Sequence, residues 1–157
     1  MRKEKSIMIV IIAAFIMIIF LYSNMEVNPD GSEIVRNLFY TSKIVEYPVQ
    51  VSISDSENST KIGVSIDTCE LNFGILPLNS KATKYINLTG NEKAKVHIIV
   101  FGEIKDMIEV EKNHFITQGK EKIPIILHAK NPGNFSGTIQ VIINKPKSWT
   151  EWAIGWM

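Results

Sequence analysis

The chain has 157 residues, with 17 Lys and Arg against 16 Asp and Glu and a formal charge of +1. That balance leaves no basic stripe to neutralise phosphates, which argues against nucleic acid as a partner. The single cysteine, Cys69, excludes an internal disulfide framework, so stability has to come from packing.

The first element is the unbroken apolar run from Ile7 to Tyr22, in which seven of sixteen residues are Ile. Each Ile favours bilayer insertion by roughly 0.3–0.6 kcal/mol at mid-membrane. With its flanks the run reaches about 20 residues, enough for a hydrocarbon core of about 30 Å. Arg2, Lys3 and Lys5 precede it, while Glu26 and Asp30 follow. The positive-inside rule therefore keeps the N-terminus in the cytoplasm and exports the remainder. A cleaved signal peptide is the competing reading. Signal peptides carry about 7–15 apolar residues and a small-x-small cleavage site, whereas Phe20, Leu21 and Tyr22 stand before Ser23. Residues 1–23 are thus expected to be an N-terminal transmembrane anchor.

Residues 24–47 are expected to form a juxtamembrane linker. Asn28-Pro29-Asp30-Gly31 is a turn signal, and Ile34 to Tyr40 follows neither a helical nor a strand period. From Pro48 an alternation of period two sets in. Val49, Val51 and Ile53 alternate with Gln50, Ser52 and Ser54, and Ile62, Val64 and Ile66 repeat the pattern. Cys69, Leu71 and Phe73 share one parity, and Leu76 to Ser80 is a turn. Further strands are predicted at 84–89, 95–101, 107–111, 114–117, 122–129 and 136–144. Gly90–Lys93, Gln118–Glu121 and Asn131–Gly133 are the predicted turns between them. Pro124 cannot donate to a ladder, which places its strand at an edge or a bulge. About eight strands without a helix over 48–147 predict an antiparallel β-sandwich.

The run Leu71-Asn72-Phe73-Gly74-Ile75-Leu76-Pro77, its polar turn and Tyr85-Ile86-Asn87-Leu88 resemble the opening of immunoglobulin-like domains of the PapD, major-sperm-protein and ASH type. Gly133-Asn134-Phe135-Ser136-Gly137-Thr138-Ile139 is similar to the closing turn of the same domains. The resemblance covers about Val49 to Lys147. It is nearest to membrane-anchored archaeal surface proteins of unassigned function. It implies an immunoglobulin-like sandwich of about 7–9 strands over 48–147, followed by a Trp-rich tail over 148–157. A Pro-Gly turn typical of the family is replaced here by Leu78-Asn79-Ser80. The basic pair of pilus chaperones is not identifiable, so chaperone activity is not implied.

Candidate sites are few. His97, His114 and His128 lack the spacing of a metal motif and are expected to be scattered surface or strand residues, with no metal and no cofactor. No nucleophile elbow, phosphate loop or dinucleotide turn occurs, so no enzyme is expected. Three sequons, at Asn58, Asn87 and Asn134, lie on the expected exported side and mark either glycosylation positions or chance matches in polar turns. Trp149, Trp152 and Trp156 are spaced to share one face of a helix. They mark a membrane or partner contact, or a tail folded back over its own sandwich.

Together these features predict a non-catalytic, membrane-anchored extracytoplasmic module for protein or glycan contact at the cell envelope. The alternative is an exported subunit of a surface filament or complex, assembled by β-strand addition. Cys69 shares the parity of two apolar residues, which predicts a buried, inert thiol. The full chain should therefore run as a monomer on a non-reducing gel, and a disulfide-linked dimer would overturn that assignment.

Overall fold

The computed structural model describes residues 8, 11–16, 24–29, 31–36, 39–55 and 70–147. Eight strands occur among them: β1 (Asn24–Val27), β2 (Glu33–Arg36), β3 (Tyr40–Ser54), β4 (Leu71–Pro77), β5 (Lys81–Gly102), β6 (Ile108–Val110), β7 (Phe115–His128) and β8 (Gly133–Pro146). Hydrogen bonds join them in the order β1-β2-β3-β8-β5-β7-β6, with β4 beside β3. All pairs are antiparallel except β3 and β4, which run parallel. The protein is mainly β. Met8 and residues 11–16 are helical, but no helix among the described residues is long and apolar enough to cross a membrane.

The sheet divides into two layers because β5 serves both. Its first half, Lys81–Gly90, pairs with β7 alone, while Lys95–Gly102 pairs with β8. One layer is β4-β3-β8 with the second half of β5; the other is the first half of β5 with β7 and β6. Alternate side chains from the first layer, Val49, Val51, Ile53, Phe73, Ile98, Ile139 and Val141, meet Ile86, Ile123, Ile125 and Leu127 from the second in one buried cluster. The β5–β6 connection adds Ile104, and its turn is closed by Met107 and Ile108 amides donating to the Ile104 carbonyl at 2.9 and 3.0 Å. This arrangement is consistent with a β-sandwich.

The Leu71–Pro77 motif has a local explanation. Leu71 and Phe73 are buried on odd positions, yet Leu76 is buried on an even one. Gly74 makes the switch at φ +71°, a region glycine enters without steric cost. The register of β4 against β3 slips there, Asn72 facing Gln50 and Ile75 facing Ser52. The Asn72 carboxamide oxygen accepts the freed Gly74 amide at 2.9 Å. A β-bulge of this kind re-aims a strand's side chains.

Two expectations need correction. The expected linker over 24–47 holds β1, β2 and the first half of β3, and β3 begins at Tyr40 rather than near Pro48. Glu33–Val35 of β2 and residues 41–45 of β3 are half-buried on both faces, so no alternation marks them. The predicted turn Asn28–Gly31 does join β1 to β2, with the Gly31 amide donating to Asn28 O at 3.0 Å. Second, neither Gly90–Lys93 nor Gln118–Glu121 reverses the chain. Both lie inside long strands, of 22 and 14 residues. Asn91, Glu92 and Lys93 stand opposite the single Gln118, a bulge between the Gly90↔Gly119 and Ala94↔Thr117 pairs. Turn-forming residues in two strands that face each other bend the pair instead of ending it. The predicted strand at 62–66 and Cys69 lie outside the described residues.

Where β5 leaves the layer, Gly102 and Gly137 are cross-strand partners. A Cβ on Gly137 would collide with the Phe101 carbonyl and the Ile104 side chain. Gly90, by contrast, has only the Glu92 carbonyl at 3.9 Å from a built Cβ and no positive φ. Gly137→Ala should therefore cost about 1–3 kcal/mol in a denaturant melt, the range of overpacking. Gly90→Ala should be neutral or stabilise by up to about 1 kcal/mol through the unfolded chain.

Candidate functional site

The register that sends Val49, Val51 and Ile53 into the core sends Gln50 and Ser52 to the opposite face. Their partners on β8 are Ser136 and Asn134. On the other side of β3, the β4 bulge brings up Asn72, Gly74 and Ile75. These residues, with Val51 and Phe135, line an open groove of about 400 Å³. Within it the Ser52 hydroxyl donates to the Asn134 carboxamide oxygen at 2.7 Å. Among the described residues, no charged side chain lines the groove.

The same uncharged character continues along the outer face of β3 and β8. Ser42 donates to the Asn144 carboxamide oxygen at 2.6 Å. Gln140 donates to the Glu46 carboxylate at 3.1 Å, where Glu46 is the exception in charge. The second layer differs. Its outer face presents Lys81, Lys120 and Lys122, and the Lys122 ammonium lies 3.9 Å from the Tyr85 ring centroid.

An amide or hydroxyl both donates and accepts hydrogen bonds. A groove of such groups, flanked by Ile75 and Phe135, suits a neutral polar ligand or an extended backbone. It offers neither the cations that hold a phosphate nor a nucleophile beside a base. Among the described residues, no three His, Cys, Asp or Glu side chains gather to hold a metal ion.

The sequence-derived candidates fall in different places. Asn134 sits in the groove and is exposed, with Ser136 of its sequon on the same face. Asn87 is exposed on the outer face of the second layer, opposite Lys122, some strands away from Asn134. Asn58, Trp149, Trp152 and Trp156 lie outside the described residues. The groove as a whole corresponds to no sequence motif. Its signal is present all the same: outward positions 50 and 52, and 134, 136, 138 and 140, are all uncharged polar residues. Only the β3–β8 pairing brings the two sets side by side.

A second cluster lies where β5 and β7 part. The ladder runs Lys95↔Ile116 and Val96↔Phe115; His97 and His114 come next, with their Nδ1 atoms 3.0 Å apart. The ladder is then continued by a side chain. The Asn113 carboxamide accepts the Ile98 amide at 2.8 Å and donates to the Ile98 carbonyl at 2.9 Å. Two of the three histidines therefore form a pair and are not scattered. His128 instead meets Glu109 at 2.8 Å.

The comparisons with known proteins add no relative: no family model matches the chain, and neither a curated protein nor a solved structure matches it.

Desolvation, and secondarily the neighbouring His114, lowers the pKa of His97 below its ordinary 6.5. The folded state thus prefers the neutral ring. At pH above 6.5 the ring is neutral in both folded and unfolded chains, and the full stability is present. As pH falls from 6.5 through the lower folded value, the unfolded chain takes the proton first and stability drops. Thermal melts between pH 7.5 and 5 should show this loss, and His97→Gln should make the pH dependence shallower.

Proposed function

We propose that this chain is a non-catalytic, membrane-anchored extracytoplasmic module of immunoglobulin-like type that contacts a protein or glycan at the cell envelope. The observation that carries the contact role is the uncharged groove of Gln50, Ser52, Asn72, Asn134 and Ser136 on the outer face of the β4-β3-β8 layer. Its groups match a neutral, hydroxyl- or amide-rich partner surface and offer nothing to an ionic one.

The anchor rests on the Ile7–Tyr22 run and the Lys/Arg that precede it. The helical side chains of Met8, Ile11, Ile12, Phe15 and Ile16 are 50–62% exposed, an apolar surface that water disfavours and lipid accepts. The immunoglobulin-like assignment, of the PapD, major-sperm-protein and ASH type, is supported by the bulged Leu71–Pro77 strand and by the strand shared between two layers.

One observation favours the second reading, an exported subunit joined by strand addition. The sheet order ends at β1, where Val27 is 65% exposed. A strand at the end of a sheet is a template for another chain. N-terminal sequencing of the protein recovered from membranes separates the two readings, because the anchored module retains Met1 and the processed subunit begins near Asn24.

For the groove, the full chain in membranes is expected to capture its partner, and Gln50→Arg should weaken capture at least about tenfold, equivalent to about 1.4 kcal/mol. Thr83→Arg, an exposed position on the second layer, should leave capture unchanged. Equal effects of the two substitutions would remove the groove from this reading.

A further inference from the structure

We propose that His97 and His114 form a binding site for a divalent late transition metal ion, of the Cu2+, Ni2+ or Zn2+ class, on the outer surface just beyond the point where β5 and β7 part. The pair stands apart from the groove, and the proposal does not depend on what the groove contacts.

The distance is the first argument. Imidazole nitrogens bind such ions at about 2.0–2.1 Å. Two nitrogens on one metal at ligand angles of about 90–110° are then roughly 2.9–3.4 Å apart. The Nδ1 atoms of His97 and His114 are 3.0 Å apart already. The rings are tilted by 45° with centroids 4.0 Å apart, so the two nitrogens already stand at the separation that a shared ion requires.

The second argument is rigidity. His97 pairs with Ile142 of β8, and on the other side its strand is held by the Val96↔Phe115 pair before it and the Asn113 carboxamide on Ile98 after it. His114 is held by the Asn113 clamp on Ile98 and by its own amide, which donates to the Asn113 carboxamide oxygen at 2.8 Å. Its backbone sits at φ +55°, a conformation that non-glycine residues seldom adopt. That conformation carries the ring to its partner. A metal site needs its ligands fixed before the ion arrives, and these two are.

The third argument is ligand chemistry. Imidazole suits Cu, Ni and Zn, whereas Mg2+ and Ca2+ prefer oxygen donors. The site supplies two nitrogens and no carboxylate, since no third His, Cys, Asp or Glu joins it among the described residues. Water completes the coordination. Lys95, two residues before His97 on β5, shares the face with Ile99, Ile116 and Ile142. Two imidazole nitrogens with no carboxylate joining them among the described residues make the site selective by softness.

The test is calorimetric titration of the full chain in detergent micelles with CuCl2, NiCl2 or ZnCl2, with MgCl2 and CaCl2 as controls, joined to Cu2+ paramagnetic resonance. One Cu2+ per chain is expected, bound more tightly than Ni2+ or Zn2+, with nitrogen hyperfine structure and no binding of Mg2+ or Ca2+. His97→Gln and His114→Asn should each weaken Cu2+ at least about tenfold, and His128→Ala should not. An asparagine side chain tolerates the positive φ at position 114, and far-ultraviolet circular dichroism checks that each variant is folded. Absence of Cu2+ binding, or binding that neither substitution at the pair reduces, overturns the proposal.

Discussion

The pairing of β3 with β8 is the constraint on which the rest of the molecule depends. It runs without a slip from Tyr40↔Pro146 to Ile53↔Gly133, fourteen residue pairs in one register. Side chains in a sheet alternate with a period of two, so displacing either strand by one residue would exchange its faces. Val49, Val51 and Ile53 would then point outward, and Gln50 and Ser52 would enter the core unpaired. Burial of the apolar set fixes the register. The groove is the other side of that same decision, because the residues left outward on the two strands are the ones that line it.

A second constraint is the bend in β5. One strand can belong to two layers only if its direction changes, and the three-residue bulge opposite Gln118 makes that change between Gly90 and Ala94. Gly119, at φ +100°, supplies the matching freedom on β7. The bulge also sets the pairing of every residue beyond it. In the register that holds before it, position 97 would face Lys112; after it, His97 faces His114. The histidine pair is therefore a consequence of how many residues the bulge inserts.

The two outer faces differ in kind. The β3–β8 face is amide and hydroxyl, while the β5–β7 face carries lysines, of which Lys122 lies over Tyr85. A surface that must remain soluble usually mixes charges of both signs. Leaving one face short of charge, with Glu46 the exception on β3, costs solubility and gains a place for a neutral partner, in keeping with the proposed contact role.

Much of this architecture is legible in the sequence. Strong alternation marks the cores of β3, β5, β7 and β8, and Gly74 marks the bulge of β4. The hidden parts have specific physical causes. β2 and the start of β3 are half-buried on both faces over 33–35 and 41–45, so hydrophobicity has no period there to detect. Gly90–Lys93 and Gln118–Glu121 carry turn chemistry, and whether such residues reverse a chain or bend it depends on what they face. His97 and His114 are 17 residues apart, and nothing in their spacing says that they meet. By itself the sequence determined which segments bury which side chains, because transfer of apolar groups from water acts on each strand locally. Tertiary structure alone decided which strands became neighbours and in what register, because that choice is settled only when all the strands share one core.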